Sequence, residues 1–97
     1  MALSAFTPTN YGGMSAVSAT SGNQAIPGGA GPTLLVSNLG PNPAVVLLGT
    51  SNAVTVTAST GIAVIPGQSI PLTVGSNTYI ASIGVGGDAT LNLAQGT

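Results

Sequence analysis

Across 97 residues there is no lysine, arginine, histidine, cysteine, tryptophan or glutamate, and Asp88 is the only charged side chain. Soluble proteins ordinarily carry about a quarter charged residues, so the deficit is chain-wide and not a local bias. Each absence excludes something. Without lysine or arginine nothing can neutralise phosphates, which excludes direct nucleic-acid binding and polybasic attachment to a membrane. Without cysteine there is no disulfide framework, no thiolate nucleophile and no sulfur-ligated metal. Without histidine or lysine there is no base to activate a serine or threonine, and no Gly-x-Ser-x-Gly elbow is present. Long apolar runs are also missing: the longest, Ala44 to Leu48, is far below the roughly 18 residues that cross a bilayer. The segment Met1 to Ala5 lacks a basic stretch and an apolar core, a poor match to a signal peptide.

Asp88 is the one residue that invites a catalytic or metal reading. An aspartic-protease dyad built from two chains needs Asp-Thr-Gly or Asp-Ser-Gly, whereas the run here is Gly86-Gly87-Asp88-Ala89-Thr90. Calcium takes about six to eight oxygens. A single aspartate meets that only if a symmetric oligomer brings several copies to an axis. Aspartate after two glycines suits a turn before a strand. No cofactor is implied, and the chain is not expected to be an enzyme.

What is present is alternation. Val54-Thr55-Val56-Thr57-Ala58, Ile70-Pro71-Leu72-Thr73-Val74 and Ala89-Thr90-Leu91-Asn92-Leu93 each place apolar side chains at every second position. That period is the mark of half-buried strands, and valine, isoleucine and threonine favour them. Turn residues recur at intervals of about ten, from Pro27-Gly28-Gly29 through Gly40-Pro41-Asn42-Pro43 and Pro66-Gly67 to Gly86-Gly87. The pattern predicts strands near 14–20, 24–26, 33–38, 44–49, 53–58, 62–65, 70–74, 78–84 and 88–94. The expected fold is all-β: a single small antiparallel β-sandwich or jelly-roll-like barrel over 14–97, with residues 1–13 as an extended N-terminal arm. Low net charge with 43% hydrophobic residues is the reverse of a disordered composition. Burial in so small a domain is marginal, so a partner or an oligomer would add to it.

Two segments break the alternation. In Thr33-Leu34-Leu35-Val36-Ser37-Asn38, Ser37 marks the outer face and so places Leu35 outside too; in Ala44-Val45-Val46-Leu47-Leu48 both faces are apolar. Either these strands are covered on both sides by their own fold, or Leu35, Val45 and Leu47 form an outward patch for another subunit. Phe6 and Tyr11 on the arm are candidate anchors, because aromatic rings bury the most area per residue. With almost no charge, any contact must rest on apolar burial and backbone hydrogen bonds, including strand addition at a sheet edge.

The run Gly31-Pro32-Thr33-Leu34-Leu35-Val36-Ser37-Asn38-Leu39-Gly40-Pro41-Asn42-Pro43-Ala44-Val45-Val46, continued through Leu48-Gly49-Thr50 to Ile65-Pro66-Gly67, resembles small structural proteins of tailed bacteriophages. Later pieces, Ile70 to Val74, Tyr79-Ile80-Ala81-Ser82-Ile83 and Ala89 to Leu93, fit the same succession of turns and strands. The resemblance implies a capsid decoration (cement) or head-spike protein on the virion surface, with a jelly-roll-like sandwich. Its implied partners are the major capsid protein and further copies of itself, as a trimer. Such relatives carry arginine or lysine on outer strand faces, where this chain has Leu35, Leu47 and Asn92; apolar contacts would replace ionic ones. The alternative is a carbohydrate- or surface-binding fibre or adhesin module.

Overall fold

The alternating segments become strands because period two puts one set of side chains on each face, and a face of Leu, Val and Ile must be buried. A computed structural model describes residues 6–18 and 20–97. Its eight strands are β1 (Pro8–Ala16), β2 (Gly22–Ala25), β3 (Thr33–Pro41), β4 (Ala44–Gly49), β5 (Ile62–Val64), β6 (Ser69–Thr73), β7 (Tyr79–Gly84) and β8 (Ala89–Gly96). They form two antiparallel four-stranded sheets, ordered β1-β8-β3-β6 (sheet A) and β2-β7-β4-β5 (sheet B). Within those orders β1 pairs with β8, β2 with β7, β3 with β6 and β4 with β5. The chain is one long antiparallel hairpin, rolled so that β3 also meets β8 and β4 meets β7. That is a jelly roll, an all-β sandwich as expected.

The core lies between the inner faces. Met14 and Ala16, Leu91 and Leu93, and Leu34 and Val36 of sheet A pack against Ala44, Val46, Val64 and Ile80 of sheet B. Among the buried polar side chains, Asn38, Ser82 and Gln95, it is Asn38 whose nitrogen and oxygen are both hydrogen-bonded. Its Nδ2 donates to the Val64 and Asn42 carbonyls at 2.7 and 2.9 Å, and its Oδ1 accepts from the Gly40 N–H at 2.7 Å. The amide ties the β3–β4 turn to the edge of the other sheet. An exposed surface of 4978 Å² equals the roughly 5,000 Å² expected of a compact monomer of this mass.

Two expectations need correction. Residues 8–13 are not an arm outside the sandwich: they belong to β1, an edge of sheet A running alongside β8 from Pro8↔Gly96 to Ala16↔Ala89. Tyr11-Gly12-Gly13 has low intrinsic strand preference, and the partner strand overrides it. Residues 1–5 lie outside the described residues. The second correction concerns 53–58, which alternates without joining either sheet. Its N–H and C=O groups go to side chains and turns: the Val56 N–H donates to Ser21 Oγ, and Asn23 Nδ2 donates to the Val54 carbonyl. The segment lies across the outside of sheet B.

Candidate interaction surface

The outer faces of the two sheets differ. On sheet B the outward residues of β4 and β7 are apolar, and the segment between β4 and β5 closes over them. Val56 is buried there with Val45 and Ala81, and Val54, Leu47, Ile83 and Val85 pack around this second cluster. Two glycines admit the cover. A Cβ on Gly49 would come within 2.5 Å of the Val54 Cβ, and one on Gly61 within 2.6 Å of the Val45 Cγ1. Val45, only 4% exposed, and Leu47, half-buried, are thus parts of a second core and not a free patch. For β4, covering by the chain's own fold is the reading that holds. The cover is the twelve residues from Thr50 to Gly61, which include the segment expected as a strand over 53–58.

Sheet A has no such cover among the described residues. Register sets Tyr11 opposite Ala94, Ala94 opposite Leu35, and Leu35 opposite Pro71, so one apolar row crosses all four strands. Tyr11 is 65% exposed and Leu35 is half-buried, while Ala94 is buried between them. Three strand spacings make the row about 14 Å long. Small polar side chains flank it: Ser37 and Ser69, whose hydroxyls share a 2.7 Å hydrogen bond, with Asn92 on one side, and Thr33 with Thr73 on the other. Phe6 is half-buried and precedes β1, next to the reciprocal backbone pairing of Thr7 with Thr97. Of the five candidates from the sequence, Tyr11 and Leu35 are brought together on one face.

Edges are closed by other means. β6 has Pro71 at its centre, and proline offers no ladder donor. β2 and β5 are four and three residues long. On β1 the outward Tyr11 N–H donates to Asn10 Oδ1 at 2.9 Å, and the Gly13 carbonyl accepts from Gln24 Nε2 at 2.8 Å. Asn38 caps the Val64 carbonyl beside β5, and the next N–H, of Ile65, donates to Gln68 Oε1. Proteins usually guard edges with lysine. This one uses amide side chains, which leaves strand addition little to pair with.

The sequence reading missed a second exposed group. Leu39, 69% exposed on the outward face of β3, and Ile65, 57% exposed just after β5, are brought near each other by backbone bonds between Asn38 and Gly67 and between Asn38 and Gln68. The available signal was alternation: Leu39 follows Leu35 and Ser37 on the outward positions of β3, and Ile65 adjoins the Pro66-Gly67 turn. Asp88 is a turn anchor, its carboxylate accepting the Ser18 N–H at 2.8 Å while Asn42 Nδ2 donates to its carbonyl.

At the opposite end of the sandwich a cavity of about 270 Å³ is lined by Ile26, Gly28, Val74, Gly75, Asn77, Thr78 and Gln95. Gln95 is 7% exposed; its Nε2 donates to the Gly31 carbonyl, while its Oε1 has no partner among the described residues. An unpaired buried acceptor of this kind costs about 1–3 kcal/mol.

Compared with protein-family models, with curated proteins and with solved structures, the chain gives no match.

Proposed function

We propose that this chain is a non-enzymatic virion structural protein that decorates or cements a bacteriophage capsid. In this reading the outer face of sheet A docks on the major capsid protein, and copies associate as a trimer. The observation that supports it most is the bare Tyr11–Ala94–Leu35–Pro71 row on an otherwise uncharged sheet, beside a second sheet whose apolar face is already covered. Jelly rolls build many viral shells, a fold-level analogy that adds weight without deciding the matter.

The size of the face bears on the kind of contact. Four strands at about 4.8 Å spacing and five to eight residues at about 3.4 Å give roughly 400 Å². A stable pairwise complex buries about 800 Å² on each partner. One such face makes a weak pair; many copies on a lattice, each touching more than one neighbour, hold by multiplicity. A decoration protein is therefore a better fit than a soluble dimer.

The test is stoichiometry. Quantitative mass spectrometry of purified source particles should find copy numbers approaching those of the major capsid protein. A few copies per particle would point to a fibre tip or neck component instead, and absence from particles would end the proposal.

A further inference from the structure

We infer that the molecule binds a second copy of itself by exchanging halves, with the strands up to Gly49 of each copy completing both sheets with the strands from Ile62 onward of the other. The exchange does not depend on the virion reading and is tested on the free chain. The sheets run β1-β8-β3-β6 and β2-β7-β4-β5, so strands before residue 50 alternate with strands after residue 61 throughout both. Every strand pairing among the described residues joins one half to the other, and none joins two strands of the same half. Backbone bonds outside the ladders follow the same division: Thr7 pairs with Thr97, Ile26 with Thr78, Val74 with Pro32 and Val85 with Pro43.

Without the second half, β1 and β3 stand two strand spacings apart, about 10 Å, with nothing between them. The first half therefore has no sheet of its own, and the partner that satisfies its backbone is a second half from whichever chain supplies one. A second half from another copy carries the same strands in the same register. All six pairings re-form, as do core contacts such as Val36 with Leu93, and only the linking segment differs. Residues 50–61 belong to neither sheet. Their first part can stay in place, because Val56 packs on Val45, its N–H donates to Ser21 Oγ, and Asn23 Nδ2 donates to the Asn52 and Val54 carbonyls. Ser21, Asn23 and Val45 all belong to the first half. Thr57 to Gly61 are exposed. They are folded back by one turn, in which the Thr60 N–H donates to the Thr57 carbonyl at 3.3 Å and the two threonine hydroxyls lie 2.8 Å apart. Those five residues span about 17 Å when extended. The whole segment spans about 40 Å, against a longest molecular dimension of 36 Å. Crossing to a neighbouring sandwich thus opens an exposed turn and leaves both sheets whole.

A half tethered by a short linker competes with free copies at an effective concentration on the order of 1 mM, which sets the scale of the test. The full chain is refolded from concentrated urea at about 10 µM and at about 1 mM, and monomer is separated from dimer by size-exclusion chromatography. Dimer should be nearly absent at the lower concentration and make up at least about a quarter of the soluble protein at the higher. Its ¹⁵N spectrum should coincide with the monomer's except over 57–62, since each sandwich is the same. An equal mixture of ¹³C-labelled and unlabelled chains, refolded together, should give filtered NOEs from Val36 of one copy to Leu93 of the other. After dilution the dimer should persist for as long as the monomer stays folded, because release requires unfolding. Thr60→Pro, at an exposed position, removes the donor of the turn and extends residue 59. It should raise the dimer fraction at about 0.1 mM at least twofold. No dimer at the higher concentration, a dimer that dissociates within minutes of dilution, or one without the Val36–Leu93 NOEs overturns the proposal. So does a Thr60→Pro dimer fraction no higher than that of the unaltered chain.

Discussion

The outer faces of sheets A and B share a strand count and differ in fate. Sheet B puts Val45, Leu47, Ala81 and Ile83 outward, and the chain spends residues 50–61 covering them. Sheet A puts Tyr11, Leu35 and Pro71 outward among serines and threonines, and nothing described covers it. Apolar character alone therefore does not mark an interface in this protein: the more apolar face is the one already occupied. What distinguishes a docking face is apolar surface for which the chain has provided no lid.

The largest effect expected from this contrast comes from placing a charge under the lid. Val56→Asp should cost about 3–5 kcal/mol, since the carboxylate would be buried without a partner, and urea unfolding would show it as a lowered midpoint. Leu47→Asp belongs to the same class and should act through stability. Leu35→Asp, the matched change on the bare face, should cost under about 1 kcal/mol of stability yet weaken particle attachment at least tenfold. Equal destabilisation by Val56→Asp and Leu35→Asp would erase the distinction between the faces. Gln24→Ala moves the question to an edge. It frees the Gly13 carbonyl, should cost about 1 kcal/mol or less, and should raise self-association by light scattering if the cap is what keeps β1 from pairing.

Smaller effects are expected where charge is concerned. Asp88→Asn should cost under about 1 kcal/mol, because an amide oxygen still accepts the Ser18 N–H. The smallest expected effect is none: retained copies on particles washed in molar sodium chloride, or between about pH 5 and 9, should equal those at low salt and neutral pH. With one carboxylate and no histidine there is nearly nothing for salt to screen or protons to titrate. Release by salt alone would mean that the partner recognises something other than the Tyr11–Leu35 row.

Much of this architecture was legible from side-chain periodicity, and the failures share one cause. Ile70–Val74 and Ala89–Leu93 read as strands because their apolar residues face the core at every second position, and they are β6 and β8. Val54 and Val56 alternate for the same reason, but the surface they face is the back of a sheet. Periodicity reports which side is buried and is silent about which backbone, if any, lies alongside. Tyr11-Gly12-Gly13 fails in the other direction: little in its own side chains marks a strand, and β8, about eighty residues later, makes it one. The site divided in the same way. Tyr11 and Leu35 were visible as exposed candidates, whereas their meeting across Ala94 depends on register, which no local pattern contains.

The amide caps on the sheet edges have a consequence for the chain before it folds. A lysine beside an aggregation-prone strand repels other chains whether or not the protein is folded. Asn10 and Gln68 satisfy N–H groups one and three residues away, but Gln24 and Asn38 protect nothing until the fold brings the Gly13 and Val64 carbonyls to them. The outermost pair, β1 with β8, also closes the longest loop, which is a slow step in folding. The nascent chain thus passes through an interval with valine-rich segments, no gatekeeper charges and no long-range caps. Its yield on refolding should fall steeply with concentration.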